Sequence, residues 1–132
     1  MEKVKSMKLL QPAAAHPEAG AVVTKAVLRA ADRLGVTARV LAAAIGLSEA
    51  TVSRMRRNGY ALAPGDKAFE LAVLFVRLSR SLDAITGGDD RVAASWLANP
   101  NSALDGRPVD KLQTVSGLMD VIAYLDARRA LV

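Results

Sequence analysis

The segment from Ala38 to Gly59, ARVLAAAIGLSEATVSRMRRNG, contains the pattern that most restricts the fold of this 132-residue chain. Apolar residues at helical spacing stop at Gly46, which favours a helix end, and Ser48 can cap a second helix directly afterwards. Thr37 is placed to cap the first helix. The segment therefore predicts two short helices, over 38–45 and 49–57, joined by a tight turn.

The spacing around the turn is more specific than that of a general helical hairpin. Ala42 lies four residues before Gly46, where a small side chain lets two helices approach, and Val52 lies six residues after it, where an apolar side chain locks the second helix. We therefore predict a helix-turn-helix whose second helix enters the major groove of DNA. The alternative is an ordinary hairpin with a solvated basic face. The residues predicted to bind DNA are the cap Ser48 and six polar residues that we expect to project outward, Glu49, Thr51, Ser53, Arg54, Arg56 and Arg57.

Composition favours an all-α protein. Hydrophobic residues make up 52% of the chain but aromatic residues only 4%, which is typical of helices built from alanine, leucine and valine. The absence of cysteine excludes a disulfide framework and a thiolate zinc site. We predict a cytoplasmic protein with a helix-turn-helix DNA-binding domain over 21–63, followed by further helices.

The first 20 residues are predicted to form a flexible basic arm. Lys3, Lys5 and Lys8 precede an apolar stretch of only two residues before Gln11 and Pro12, whereas a secretion signal needs about 7 to 15. Apolar runs are also too short for a membrane helix, which needs roughly 20 residues. We therefore expect neither export nor membrane insertion.

Charge is distributed unevenly along the chain. Through Arg80 there are 13 basic and six acidic residues, a net charge of +7, whereas from Ser81 onward there are five basic and seven acidic residues, a net charge of −2. A basic first part suits a polyanion, and an acidic second part suits a different partner, such as a protein. Unevenly charged solvated faces are the alternative explanation.

Three further helices are predicted from apolar periodicity. A helix over 21–34 ends at Gly35, a long helix over 66–86 ends at Gly87-Gly88, and a last helix covers about 116–129. The long helix, in a central segment over 64–88, has apolar residues on two faces, so we expect either a homodimer through it or a core helix wrapped by its own chain. The predicted core residues of the first helix are Val22, Val23, Ala26, Val27, Ala30 and Leu34. The second face of the long helix consists of Leu71, Leu74, Phe75 and Leu78. The stripe of the last helix consists of Val115, Leu118, Met119, Ile122 and Leu125.

Residues 89–132 resemble the toxin-binding domain of the Xre/MbcA/ParS antitoxins. In that family a Trp-Leu pair near a helix end is followed by a proline turn, a short helix and a terminal helix. Gly117 departs from the family pattern, which prefers a stronger helix former there. The residues that carry the resemblance are Trp96-Leu97, Asn99-Pro100-Asn101, Ala103-Leu104, Gly106, Pro108 and Leu112.

The resemblance implies an antitoxin that binds operator DNA, represses its own operon and neutralises a RES-domain toxin, a class of toxin that consumes NAD. It also implies that the last helix and tail cover the active site of the toxin. Without the resemblance, Trp96 would be interpreted as a core residue. The alternative function is a stand-alone helix-turn-helix repressor whose last domain senses a ligand or dimerises. The residues expected to bind the toxin are Trp96, Asn99, Leu104, Arg128, Arg129, Leu131 and Val132.

An enzyme is not expected. The only histidine, His16, lies in the predicted arm between Ala15 and Pro17, with no fixed carboxylate partner and no second metal ligand nearby. The glycines at 87, 88, 106 and 117 are too scattered to form a phosphate-binding loop. We predict no catalytic residues, no metal and no cofactor.

Overall fold

The computed structural model describes residues 18–131, which form seven helices and no strand. None of these helices is long and apolar enough to span a membrane. The helices are α1 (Glu18–Arg33), α2 (Ala38–Ile45), α3 (Glu49–Arg56), α4 (Lys67–Thr86), α5 (Asp90–Ala98), α6 (Pro108–Lys111) and α7 (Val115–Ala130).

Helix α1 begins three residues earlier than the sequence predicted, so residues 18–20 are its first turn and not part of an arm. The rest of the predicted arm, including His16, lies outside the described residues. Gly20 is buried against the loop that follows α3, and a Cβ atom there would lie 2.0 Å from the carbonyl oxygen of Leu62. The hydroxyl of Thr24 donates to the Gly20 carbonyl at 2.6 Å and accepts from the Leu62 amide at 2.9 Å. These contacts fix the loop to α1.

The helix-turn-helix has the predicted geometry. The side chain of Thr37 accepts from the amide of Val40, and Gly46 ends α2 in the left-handed conformation at φ 75°. The side chain of Ser48 accepts from the amide of Thr51 at 3.1 Å and so caps α3. Ala42 and Val52 are both buried where α2 and α3 meet. The predicted turn residues and packing residues are confirmed.

Helix α4 lies at the centre of the molecule and packs against α1, α2, α5 and α7. Leu71, Phe75 and Leu78, on the second apolar face, are buried within this chain, so they need no second subunit to cover them. Leu74 is only partly buried, and Val73 is 42% exposed. This packing supports the alternative expectation of a core helix wrapped by its neighbours.

The buried residues form one continuous core that runs from α1 to α7. Three residues that the sequence placed in the core are instead exposed: Val22 at 63%, Val115 at 56% and Met119 at 42%. Each lies at the edge of an apolar stripe, where helical periodicity alone does not distinguish a core side chain from a surface one. The remaining stripe residues of α7, Leu118, Ile122 and Leu125, are buried.

The start of α7 explains the unusual glycine at 117. Thr114 caps the helix, because its hydroxyl accepts from the Gly117 amide at 3.1 Å. A Cβ atom at Gly117 would lie 2.1 Å from the carbonyl oxygen of Lys111, at the end of α6. A residue without a side chain is therefore required where α6 and α7 meet.

Ion pairs join helices that are distant in sequence. Arg33 of α1 contacts Asp83 of α4 at 3.0 Å and Asp90 of α5 at 3.1 Å. Its hydrogen bond to Asp90 and the charges of Asp90 and Asp83 raise the pKa of Arg33 further above its usual value, so its guanidinium stays charged. Arg77 of α4 pairs with Asp126 of α7.

Candidate functional site

The outer surface of α3 is polar, as expected for a helix that faces DNA. Ser48, Glu49 and the three arginines are exposed, and Ser53 is partly exposed. Thr51 is the exception, because it is only 8% exposed and does not project outward as predicted. The Thr51 hydroxyl lies 2.8 Å from the Ser48 hydroxyl and accepts a hydrogen bond from the Arg54 guanidinium at 3.1 Å. The Thr51 side chain therefore lies between those of Ser48 and Arg54. Thr51 therefore supports Arg54 from beneath, and its contact with DNA stays a prediction.

Arg54 is held in position by two neighbours. Besides its hydrogen bond to Thr51, its guanidinium carbon lies 5.8 Å from the centre of the Tyr60 ring, within the range of a cation–π contact. The sequence interpretation did not single out Tyr60. The available signal was an aromatic residue directly after the Asn58-Gly59 turn that ends α3.

The other two arginines of this surface differ in their freedom to bind phosphate. Arg56 forms an ion pair with Asp32 of α1 at 2.9 Å, so part of its charge is already compensated. Arg57 is exposed and donates a hydrogen bond to the hydroxyl of Ser53 at 3.2 Å. Arg57 can therefore turn towards a phosphate without breaking an ion pair.

Further basic residues surround α3 that the sequence interpretation did not assign. Lys25 and Arg29 of α1 line a cleft together with Arg56 and Tyr60. Arg39 is exposed in the first turn of α2, the helix that crosses the DNA backbone in this motif. Their exposure became apparent only once the orientations of α1 and α2 were known. The basic surface is therefore wider than α3.

A second surface lies on the C-terminal helices. The rings of Trp96 in α5 and Tyr124 in α7 stack with their centres 6.0 Å apart and their planes inclined by 20°. Both residues are partly exposed, so Trp96 is neither a fully buried core residue nor a free surface residue. Asn99 is exposed, and its side-chain amide donates to the carbonyl and hydroxyl oxygens of Ser95. Leu104 is only 7% exposed, so its side chain packs beneath the loop.

The end of α7 places its two arginines on different sides. Arg128 follows Tyr124 by one helical turn, and among the described residues its side chain has no ion pair or hydrogen bond. Arg129 points towards α4, where its guanidinium lies 3.5 Å from the Ser81 hydroxyl. Leu131 is 85% exposed, and Val132 lies outside the described residues.

These surfaces define a helix-turn-helix DNA-binding protein with a second, helical interaction domain, and residues 18–131 contain no cluster of potential metal ligands. Comparison with family models gives the same division of the chain. The antitoxin Xre-like helix-turn-helix domain matches residues 13–77, and the antitoxin Xre/MbcA/ParS C-terminal toxin-binding domain matches residues 81–130. The comparison with curated proteins found no match. The chain belongs to the Xre/MbcA/ParS family of antitoxins.

Proposed function

We propose that this antitoxin neutralises a RES-domain, NAD-consuming toxin by direct binding and represses its own operon through the helix-turn-helix. The match of residues 81–130 to a toxin-binding domain is the observation that carries the proposal. The exposed arginines of α3 support the DNA-binding half. The assignment of the toxin to the RES class rests on the resemblance of the Trp96 to Leu112 motif.

The end of α7 is the proposed site of neutralisation. Arg128 and Leu131 are exposed and available to a partner, and arginine is frequent among the residues that contribute most to protein interfaces. Arg129 is proposed to contribute less, because its side chain lies towards α4.

A neighbouring gene that encodes a RES-domain protein is the first expectation of this proposal, and growth of cells that express such a cognate toxin is its test. We expect the unchanged chain to protect these cells, and both Arg128→Glu and deletion of residues 130–132 to abolish protection. Arg129→Glu is the matched comparison and should have a smaller effect. Helicity and operator binding should be retained in all three variants. Full protection by every variant would contradict neutralisation through the end of α7. Operator binding by the unchanged chain without any protection would favour a stand-alone repressor.

We further propose that the chain binds its operator as a homodimer, because helix-turn-helix proteins commonly bind paired half-sites one or more helical turns apart. Since Leu71, Phe75 and Leu78 are buried internally, Val73 is the large apolar residue of α4 that is exposed and available for a partner. Val73→Lys should give a monomer in sedimentation and weaker operator binding. The control is Ala84→Lys, also at an exposed position of α4. A dimer that persists in Val73→Lys would place the interface elsewhere.

A further inference from the structure

The stacked aromatic pair lies between two depressions of different character. The first depression has a mainly apolar surface, to which Val92, Trp96 and Pro100 belong; Arg91, Ser95, Asn99 and Asn101 complete its lining. Val92 and Trp96 are one helical turn apart on α5, and Val92 is 50% exposed. This depression can receive an apolar side chain of a partner.

The second depression has a mixed lining with a net negative charge, because two carboxylates face one ammonium group. Asp105, Lys111, Asp120 and Tyr124 line it together with the apolar side chains of Ala103, Leu104 and Ala123. Lys111 and Asp120 form a loose ion pair at 3.7 Å, whereas the side chain of Asp105 has no ion pair or hydrogen bond among the described residues. A basic side chain of a partner would be attracted here, because the carboxylates of Asp105 and Asp120 outnumber the Lys111 ammonium and the Tyr124 ring belongs to the same lining.

The loop between the depressions is held in a defined conformation. The amide of Asn101 donates to the carbonyl of Gly106 at 2.9 Å, and the side-chain oxygen of Asn101 accepts from the amides of Ala103 and Leu104. Leu104 anchors the loop in the core, and Asp105 adopts a left-handed conformation at φ 56°. A loop that is already ordered loses little conformational entropy when a partner binds.

We infer that the Trp96–Tyr124 pair is the centre of the toxin-docking surface, and that the toxin places an apolar side chain against Val92 and Trp96 and a basic side chain against Asp105. This inference rests on the proposed function and specifies where the toxin binds. The surface lies within the residues that match a toxin-binding domain. Aromatic residues dominate the energetics of many protein interfaces. DNA does not fit the second depression, because the carboxylates of Asp105 and Asp120 repel phosphate.

The docking surface continues along α7 towards the end of the chain. Tyr124, Arg128 and Leu131 succeed one another at helical spacing on one side of α7, whereas Met119 lies on another side. The aromatic pair and the proposed neutralising residues therefore form one surface. A toxin bound to Trp96 and Tyr124 is held beside Arg128.

The test measures binding of the purified cognate RES-domain toxin, as proposed above, to the full chain and three variants. Tyr124→Ala should weaken binding by roughly 10-fold or more, as expected for a central interface residue. Val92→Glu should have a similar effect without unfolding α5, because a negative charge is favourable in the first turn of a helix. Asp105→Asn should weaken binding several-fold and reduce its salt dependence, because asparagine tolerates the left-handed conformation but carries no charge.

Met119→Ala is the matched control, because Met119 is also an exposed apolar residue of α7. It should change toxin binding by less than about twofold, as is usual outside an interface centre. Operator binding and helicity should be unchanged in all four variants. Parental affinity in both Tyr124→Ala and Val92→Glu would overturn the inference while leaving the proposed function intact. Failure of the unchanged chain to bind the RES-domain protein would overturn the proposed function and this inference with it.

Discussion

At the scale of single residues, Gly117 is required by a contact between two backbones. An alanine in a helix is normally about 1 kcal/mol more favourable than a glycine. At this position, however, the added Cβ atom would lie 2.1 Å from the Lys111 carbonyl oxygen. We therefore expect Gly117→Ala to lower the midpoint of thermal unfolding, since α6 must move away from α7.

Ser116→Ala is the control for this prediction, because Ser116 is the exposed neighbour of Gly117 in the same turn. Its unfolding midpoint should stay close to that of the unchanged chain. A midpoint in Gly117→Ala equal to or above the parental value would show that α6 and α7 can separate at little cost.

Arg54 gives the second prediction at this scale. Thr51 and Tyr60 hold its guanidinium in place, so little further ordering is needed when it meets a base. If Arg54 makes a bidentate contact to guanine, Arg54→Ala should reduce operator binding by about 1 to 3 kcal/mol in a gel shift. The loss of affinity caused by Arg54→Ala should be smaller for unrelated DNA of the same length. Equal affinity of the variant and the parent for the operator would remove Arg54 from the base-contacting surface.

The sequence predicted which residues of this region were polar, but not how they support one another. Ser48 and Thr37 were assigned correctly as helix caps because capping depends on neighbouring residues alone. Thr51 was placed on the surface because it is polar, whereas its hydroxyl is satisfied by Ser48 and Arg54. The role of Tyr60 depends on how the chain turns after α3, which residue types do not specify.

At the scale of helices, the pair between Arg56 and Asp32 connects α3 to α1 and limits the positive charge that α3 presents. Asp32→Asn should release Arg56 to bind phosphate. We expect tighter DNA binding at low salt. The slope of log affinity against log salt concentration should become steeper by about one unit, since each phosphate contact adds roughly 0.9 to the magnitude of that slope.

The double variant Asp32→Asn with Arg56→Gln tests whether the effect acts through Arg56. The steeper salt dependence should disappear in the double variant, because residue 56 then carries no positive charge that could bind a phosphate. If the double variant keeps the steeper slope, Asp32 acts by repelling DNA directly and not by restraining Arg56.

Most of the helices could be predicted because their ends carry local signals. Helix α2 was predicted with the boundaries that the structure shows, and α3 within one residue, since Thr37, Gly46 and Ser48 act on adjacent backbone groups. Helix α7 was predicted within one residue from its apolar periodicity, although its cap, Thr114, was not recognised. The start of α1 was missed because Pro17 and Gly20 suggested a loop. Gly20 instead lies within the helix, and its lack of a side chain allows close contact with Leu62, a residue 42 positions away. Contacts of this kind cannot be recognised from local sequence.

At the scale of the whole molecule, the continuous core predicts that both halves unfold together. Leu41 is fully buried in α2, and truncating it to alanine should cost about 2 to 5 kcal/mol. The only tryptophan, Trp96, is in α5 and reports on the other half of the chain through its fluorescence. We expect Leu41→Ala to lower the unfolding midpoint measured by Trp96 fluorescence as much as the one measured by circular dichroism.

Ala43→Gln, at an exposed position of the same helix, should leave both midpoints close to the parental values. If Leu41→Ala left the Trp96 transition in place while the helical signal decreased earlier, the two halves would be independently stable. Two coincident transitions are the usual criterion for a single cooperative unit.

The position of α4 also determines how new partner specificity can arise in a protein of this architecture. The two family models meet between residues 77 and 81, inside α4, whose residues Phe75 and Leu82 on either side are both fully buried. A gene fusion at that junction would join two halves of α4 from different parent proteins. The buried side chains of each half would pack against helices of its own parent but not against those of the other. Functional chimeras should therefore require that α4 be inherited together with the helices packed on it. Exchange of partners is expected to proceed by substitutions on exposed surfaces and not by recombination of modules.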